Sequence, residues 1–198
     1  MRLFIALSPP PDITAAVARM QQTLAHTRAD VRWTDPAHLH VTVKFLGETD
    51  EALLPEIVGR LTAAAAQVPQ FPLEVEGVSR LPPKGPPRVI ISRILSPDQR
   101  LTKLHRLIDS ALGGMGLPMD TRALTPHLTL GRVSSNHGLN RLLRLVEKHD
   151  LDFFGSFTVE QATLFRSHLE AQPADRYRAL HSAALAQGAP QPLPPSVR

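Results

Sequence analysis

The chain has no cysteine. That excludes a disulfide framework, a Cys-ligated zinc or iron–sulfur site and a thiol nucleophile, and it suits a reducing compartment. Aromatic residues make up only 5% of the 198 positions, too few for a broad stacking platform for single-stranded nucleic acid. No window approaches the roughly 18 consecutive apolar residues of a membrane span. The opening MRLFIALSPPPD runs into proline too soon for a secretory signal, so a cytoplasmic protein is expected. Neither sign of charge dominates: 22 Lys and Arg against 18 Asp and Glu leave +4, a mild surplus that permits an anionic partner without requiring one.

Proline and histidine are plentiful. The 19 prolines cluster as punctuation, closing a first strand at Pro9 to Pro11, forming a loop at LPPKGPP (Leu81 to Pro87) and filling GAPQPLPPSVR from Gly188 onward. One folded domain over residues 1–187 and a disordered tail over 188–198 are expected. Between these marks, strand and helix periodicities alternate. Leu3 to Leu7, Val31 to Trp33, His38 to Leu46, Phe71 to Val78, Arg88 to Ile94, Leu124 to Val133, Phe157 to Phe165 and Arg176 to Leu185 read as strands. Ile13 to Leu24, Leu53 to Leu61, Leu101 to Leu112 and Leu139 to Lys148 read as helices. The third is expected to open with Ser96 as cap, Pro97 in the first turn and Gln99 completing a capping box. The class is α+β or α/β.

Nine histidines make proton transfer near neutrality available, because the imidazole pKa lies at about 6.5. In HLHVTVKFLGE, His38 to Glu48, strict alternation puts Leu39, Val41, Val43 and Phe45 on one face and His38, His40, Thr42 and Lys44 on the other. By itself that is also how an ordinary half-solvated strand reads. The pattern recurs in TPHLTLGR, Thr125 to Arg132, where His127 and Thr129 repeat His40 and Thr42. The offset, 127 less 40, is 87 residues for both pairs, close to half the folded length, which points to an internal duplication.

With RLFIAL at the start, VRW before the first motif, KFLGE and PHLTLGR within the motifs and Tyr177 near the end, the sequence resembles the 2H phosphoesterases. Within them it resembles the bacterial and archaeal RNA 2′,3′-cyclic phosphodiesterases, also called 2′-5′ RNA ligases. The resemblance covers nearly the whole chain. It implies an α+β fold of two duplicated lobes, each with an antiparallel sheet, facing a central groove with helices outside. It also implies hydrolysis of RNA 2′,3′-cyclic phosphate ends to 2′-phosphomonoesters, with His40 as proton donor and His127 as proton acceptor. With a 5′-hydroxyl replacing water, the same chemistry would give ATP-independent, reversible 2′-5′ ligation. No cofactor and no metal are implied, RNA is the expected partner, and a monomer is expected.

The chemistry suits the residues. Opening the ring needs a base for water and an acid for the leaving oxygen on opposite sides of phosphorus, and two imidazoles supply both at one pH. Thr42 and Thr129 are placed to donate hydrogen bonds to nonbridging oxygens, although threonine is also a common strand residue. Arg132 matches the family's basic position, yet strict alternation turns it away from His127 unless Gly131 permits a bulge. Lys44 is a phosphate contact or a solvated side chain. His38 and His40 form an H-x-H pair that on a strand can hold a metal, but neither motif has a third ligand nearby, so His38 reads as a groove-edge or structural residue. Trp33 and Tyr177 are candidates for a base contact, whereas Phe45 falls on the apolar face. Two other readings are a 2H enzyme acting on another nucleotide or a 2′-5′ oligonucleotide, and an RNA-binding module without turnover.

Overall fold

In the computed structural model, which describes residues 1–168 and 176–188, strands and helices follow the order set by the apolar periodicity. The order is β1 (Arg2–Leu7), α1 (Pro11–Ala25), β2 (Val31–Trp33), β3 (Val41–Glu48), α2 (Leu54–Ala65), β4 (Phe71–Leu81), β5 (Val89–Leu95) and α3 (Arg100–Gly113). There follow β6 (His127–Val133), α4 (Leu139–Lys148), β7 (Phe153–Val159), β8 (Gln161–Ser167) and β9 (Tyr177–Ala184). Pro11 occupies the first position of α1, where its missing N–H costs nothing. Ile13, Val17, Met20 and Leu24 recur at helical spacing along α1 and are all buried, the stripe an amphipathic helix needs. The matching stripe of α3 is Leu101, Leu104, Ile108 and Leu112.

The strands form one antiparallel sheet in the order β7-β4-β5-β6-β3-β1-β8-β9, with β2 added beside β6. Its two four-stranded halves are the expected pair of sheets. They meet between β6 and β3, where Val41 and Leu128 are the one registered pair. Helices α1 and α4 pack behind the half that contains β4 and β7, and α2 and α3 behind the half that contains β3, β8 and β9. Apolar side chains of both helix pairs and of the sheet's inner face make one continuous core.

Two local expectations fail for identifiable reasons. Helix α3 starts at Arg100, not after Ser96. Gln99 precedes it in a left-handed conformation (φ 58°) without a side-chain cap, and the Asp98 carboxylate accepts from the Arg100 N–H (3.1 Å). The run Phe157 to Phe165 is not one strand but the end of β7 and most of β8, separated by Glu160 and lying in opposite halves of the sheet. Both pieces are apolar and β-prone, so periodicity alone does not reveal the crossover. The proline-rich tail expected from Gly188 lies, beyond that residue, outside the described residues. Among the described residues no helix is long and apolar enough to cross a membrane.

Candidate active site

The two histidine motifs meet where the two halves of the sheet meet. Val41 pairs with Leu128 in antiparallel register. That register sets His40 opposite Thr129 and Thr42 opposite His127, all four on the face away from the helices. Each imidazole is fixed the same way. His40 Nδ1 lies 2.8 Å from the carbonyl oxygen of His38, and His127 Nδ1 lies 2.7 Å from that of Thr125. A carbonyl only accepts, so both Nδ1 atoms carry the hydrogen. Nε2 is therefore the atom that each ring has left to take up or release a proton. Among the described residues neither Thr42 nor Thr129 has a hydrogen-bond partner for its hydroxyl.

Strict alternation breaks at the same point in both motifs. On β3 the register with β1 slips at Val43, between the pairs Ala6–Thr42 and Ile5–Lys44. On β6 the register with β5 slips at Leu130, between Ile91–Thr129 and Ile90–Gly131. Each slip is a one-residue bulge, which exchanges the faces of the residues just beyond it. Arg132 thereby joins His127 and Thr129 on the outward face and is exposed. Lys44 turns the other way, contrary to the alternation. It is buried behind the sheet, where Nζ lies 2.5 Å from Asp109 Oδ1 and 2.7 Å from the Pro118 carbonyl oxygen. Phe45 moves with it. Expected in the core, it is instead 63% exposed on the His40 face, with its ring centroid 6.2 Å from that of Phe4.

The sequence matches the model of the 2′-5′ RNA ligase superfamily over residues 9–171. The chain belongs to that superfamily. A protein of Methanocaldococcus jannaschii named RNA 2′,3′-cyclic phosphodiesterase is 31% identical over 85% of this chain and 92% of its own. A protein of Archaeoglobus fulgidus with the same name is also 31% identical, over 85% and 92%. A crystal structure of a protein from Thermus thermophilus shares the fold with a TM-score of 0.79, 24% identity and coverage of 96% of this chain and 100% of that one.

This superfamily member surrounds His40 with rings. Its centroid is 5.0 Å from that of Phe4 and 5.3 Å from that of Tyr177, which also stands edge-on to His38 at 5.2 Å. Phe4 stacks on Phe165 at 5.2 Å. Together with Ser8 and Ala37 these side chains line a small cavity of about 70 Å³ beside the imidazole. Burial pushes the His40 pKa below its usual 6.5, against the hydrogen bond to His38, which raises it. Coulombic interaction with His127, His38 and Arg132 lowers it further, which puts all three within electrostatic reach. Among the described residues no group of three or more His, Asp or Glu is placed to hold a metal ion.

Of the two expected base contacts, Tyr177 stands at the site and Trp33 does not. Trp33 packs against the core, and its Cε3 lies 2.9 Å from where a Cβ on Gly131 would be. Trp33 and Val31 therefore cover Gly131 from the helix side, and only Arg32 of β2 points outward. Alternation alone misplaces Phe45. The signal that finds it is the 87-residue offset, which pairs Lys44 with Gly131 and Phe45 with Arg132.

Proposed function

We propose that this chain hydrolyses RNA 2′,3′-cyclic phosphate ends to 2′-phosphomonoesters by two-histidine general acid–base catalysis, in the cytoplasm, as a monomer and without a metal or cofactor. The observation that carries the reading is the pair of imidazoles, each with Nδ1 locked to the carbonyl two residues earlier and Nε2 left for chemistry, at one junction of two strands. Superfamily membership and the names of the two archaeal relatives support the substrate.

In this reading His127 Nε2 takes a proton from water as its oxygen bonds to phosphorus, and His40 Nε2 gives its proton to O3′ as the P–O3′ bond breaks. The 2′-phosphate remains on the ribose. With a 5′-hydroxyl in place of water as the nucleophile, the two rings keep these roles, His127 taking the hydroxyl proton and His40 protonating O3′, and the RNA ends are joined by a 2′-5′ linkage. Thr42 and Thr129 donate to the nonbridging oxygens, and the Arg132 guanidinium stabilises the charge that gathers on them. Tyr177 and the exposed Phe45 are the rings that a nucleobase meets.

The test is RNA ending in 2′,3′-cyclic phosphate, incubated in EDTA with the wild-type protein and with His40→Ala and His127→Ala variants. The expected outcome is a 2′-phosphomonoester from the wild type, with each variant slower by about two orders of magnitude or more. Wild-type rates in both variants would refute the mechanism.

A further inference from the structure

Beside Arg132 stands a second guanidinium that the mechanism leaves without a task. Strand β2 is three residues long, and its register sets Arg32 directly opposite Arg132 on β6. Val31 and Trp33 share the helix face with Gly131, so Arg32 and Arg132 share the face of His127 and Thr129. Both arginines are exposed, and among the described residues neither forms an ion pair with a carboxylate. Like charges directly opposite each other on neighbouring strands are unfavourable.

The fold nevertheless holds Arg32 there firmly. The Thr34 N–H donates to the Leu130 carbonyl (2.9 Å), and the Ser134 N–H donates to the Asp30 carbonyl (2.8 Å), so β2 is tied to β6 at both ends. From α1, the Gln21 side-chain amide donates to the carbonyls of Thr34 (2.9 Å) and Leu130 (2.8 Å). Arg32 thus sits on a clamped strand rather than a swinging loop, and it is the one side chain β2 presents outward. Two preorganised guanidiniums side by side match the oxygens of a phosphodiester, which each can engage through paired N–H donors.

We infer that Arg32 and Arg132 together form a second phosphate subsite, which takes the phosphodiester one nucleotide upstream of the cyclic end. The inference rests on the proposed cyclic phosphodiesterase reading. Arg132 is shared between the reacting phosphate and its neighbour, whereas Arg32 touches only the neighbour. The subsite makes the protein read an RNA chain rather than a free cyclic nucleotide.

The experiment compares a 2′,3′-cyclic mononucleotide, which lacks the upstream phosphodiester, with a dinucleotide that has it, on the wild type and on Arg32→Ala and Arg32→Lys. Losing one charge-assisted phosphate contact predicts a KM for the dinucleotide about tenfold higher in Arg32→Ala, with kcat within about twofold. Arg32→Lys falls in between, because an ammonium keeps the charge and loses the fork. Kinetics on the mononucleotide stay unchanged, which also shows that the variants are folded. Equal effects on both substrates, or none on either, would overturn the subsite. Equilibrium binding of a dinucleotide ending in 2′-phosphate gives a readout independent of turnover. In Arg32→Ala its log–log salt slope should flatten by about 0.7, one phosphate's worth on a single strand. If the wild type hydrolyses neither substrate, the cyclic phosphodiesterase reading fails, and the binding measurement alone decides the subsite.

Discussion

His40 and His127 share one hydrogen-bond pattern, yet their surroundings differ, and that difference makes the acid and base assignments testable. The His40 imidazole is held below its usual pKa by burial first and then by positive neighbours that include Arg132. Taken alone, a lowered pKa favours the base. If His40 is the acid, it must be protonated in the free enzyme, so kcat/KM declines as pH rises through a value below 6.5. A bound phosphate anion raises that pKa, so the alkaline limb of kcat should sit higher than that of kcat/KM. Replacing Arg132 with Met removes a positive charge that lowers His40, so the limb belonging to His40 moves to higher pH. The rate at the optimum should fall by about a hundredfold, in line with loss of one donor to developing charge. Movement of the alkaline limb of kcat/KM identifies His40 as the acid. If the acid limb moves instead, the two roles are exchanged, and if neither limb moves Arg132 does not act on His40.

At the scale of single elements, the β3 bulge is anchored from behind by Lys44. Its buried ammonium lies between Asp109 at 2.5 Å and Asp120 at 3.6 Å, and His105 Nε2 lies 3.0 Å from the same Asp120 oxygen. Burial works to raise the Asp109 pKa, but the hydrogen bonds from Lys44 Nζ and the Asp120 N–H prevail and hold it below its usual 3.8. A carboxyl with a depressed folded pKa contributes stability above its unfolded pKa, and the contribution is lost as pH falls through the folded value. Asp109→Ala should therefore cost about 3 kcal/mol at neutral pH by denaturant unfolding, because it leaves a buried ammonium with only the Pro118 carbonyl and the more distant, more exposed Asp120. The deficit against wild type should shrink below about pH 4. A double Lys44→Met, Asp109→Leu variant should recover most of the loss, since the pair matters less than the orphaned charge. If the double variant is as unstable as Asp109→Ala, the pair does more than neutralise itself.

The same element shows where sequence reading stops. The outward placement of His40 and Thr42 is legible, because period-two alternation holds up to Val43. Lys44 and Phe45 are misread because a bulge leaves no mark in hydropathy: one extra residue exchanges the faces and the pattern still alternates. In β6 the slip is signalled, since Gly131 has no side chain to collide with Val31 and Trp33, and a Cβ there would come within 2.6 Å of Val31 Cγ1. Comparing the motifs at their offset would have carried that signal to β3. The role of β2 is likewise hidden, because nothing local in Val31 to Trp33 names β6 as its partner.

At the scale of the whole molecule, the two repeats are exchanged. The order strand, helix, strand, helix, strand in β1, α1, β3, α2 and β4 returns in β5, α3, β6, α4 and β8. Yet β4, from the first repeat, lies in the half with β5, β6 and β7, and β8 and β9 close the half that contains β1 and β3. Helices follow suit: α1 packs with α4, and α2 with α3. Neither repeat on its own can complete a half-sheet or cover one, so each should lack a core and expose unpaired strand edges. Residues 1–84 and 85–198, prepared separately, are expected to show no cooperative unfolding transition. The cut between Lys84 and Gly85 falls in the exposed loop joining β4 to β5, where the pairing of Leu81 with Val89 already closes the hairpin. Breaking the chain there removes a covalent link but no packing. The intact protein nicked at Lys84 should therefore keep its fold and its hydrolytic rate, and the two fragments mixed from denaturant should recover both. A first fragment that unfolded cooperatively alone would mean that β1 and β3 hold together without β8, and that the exchange of strands is not what joins the two histidine motifs into one site.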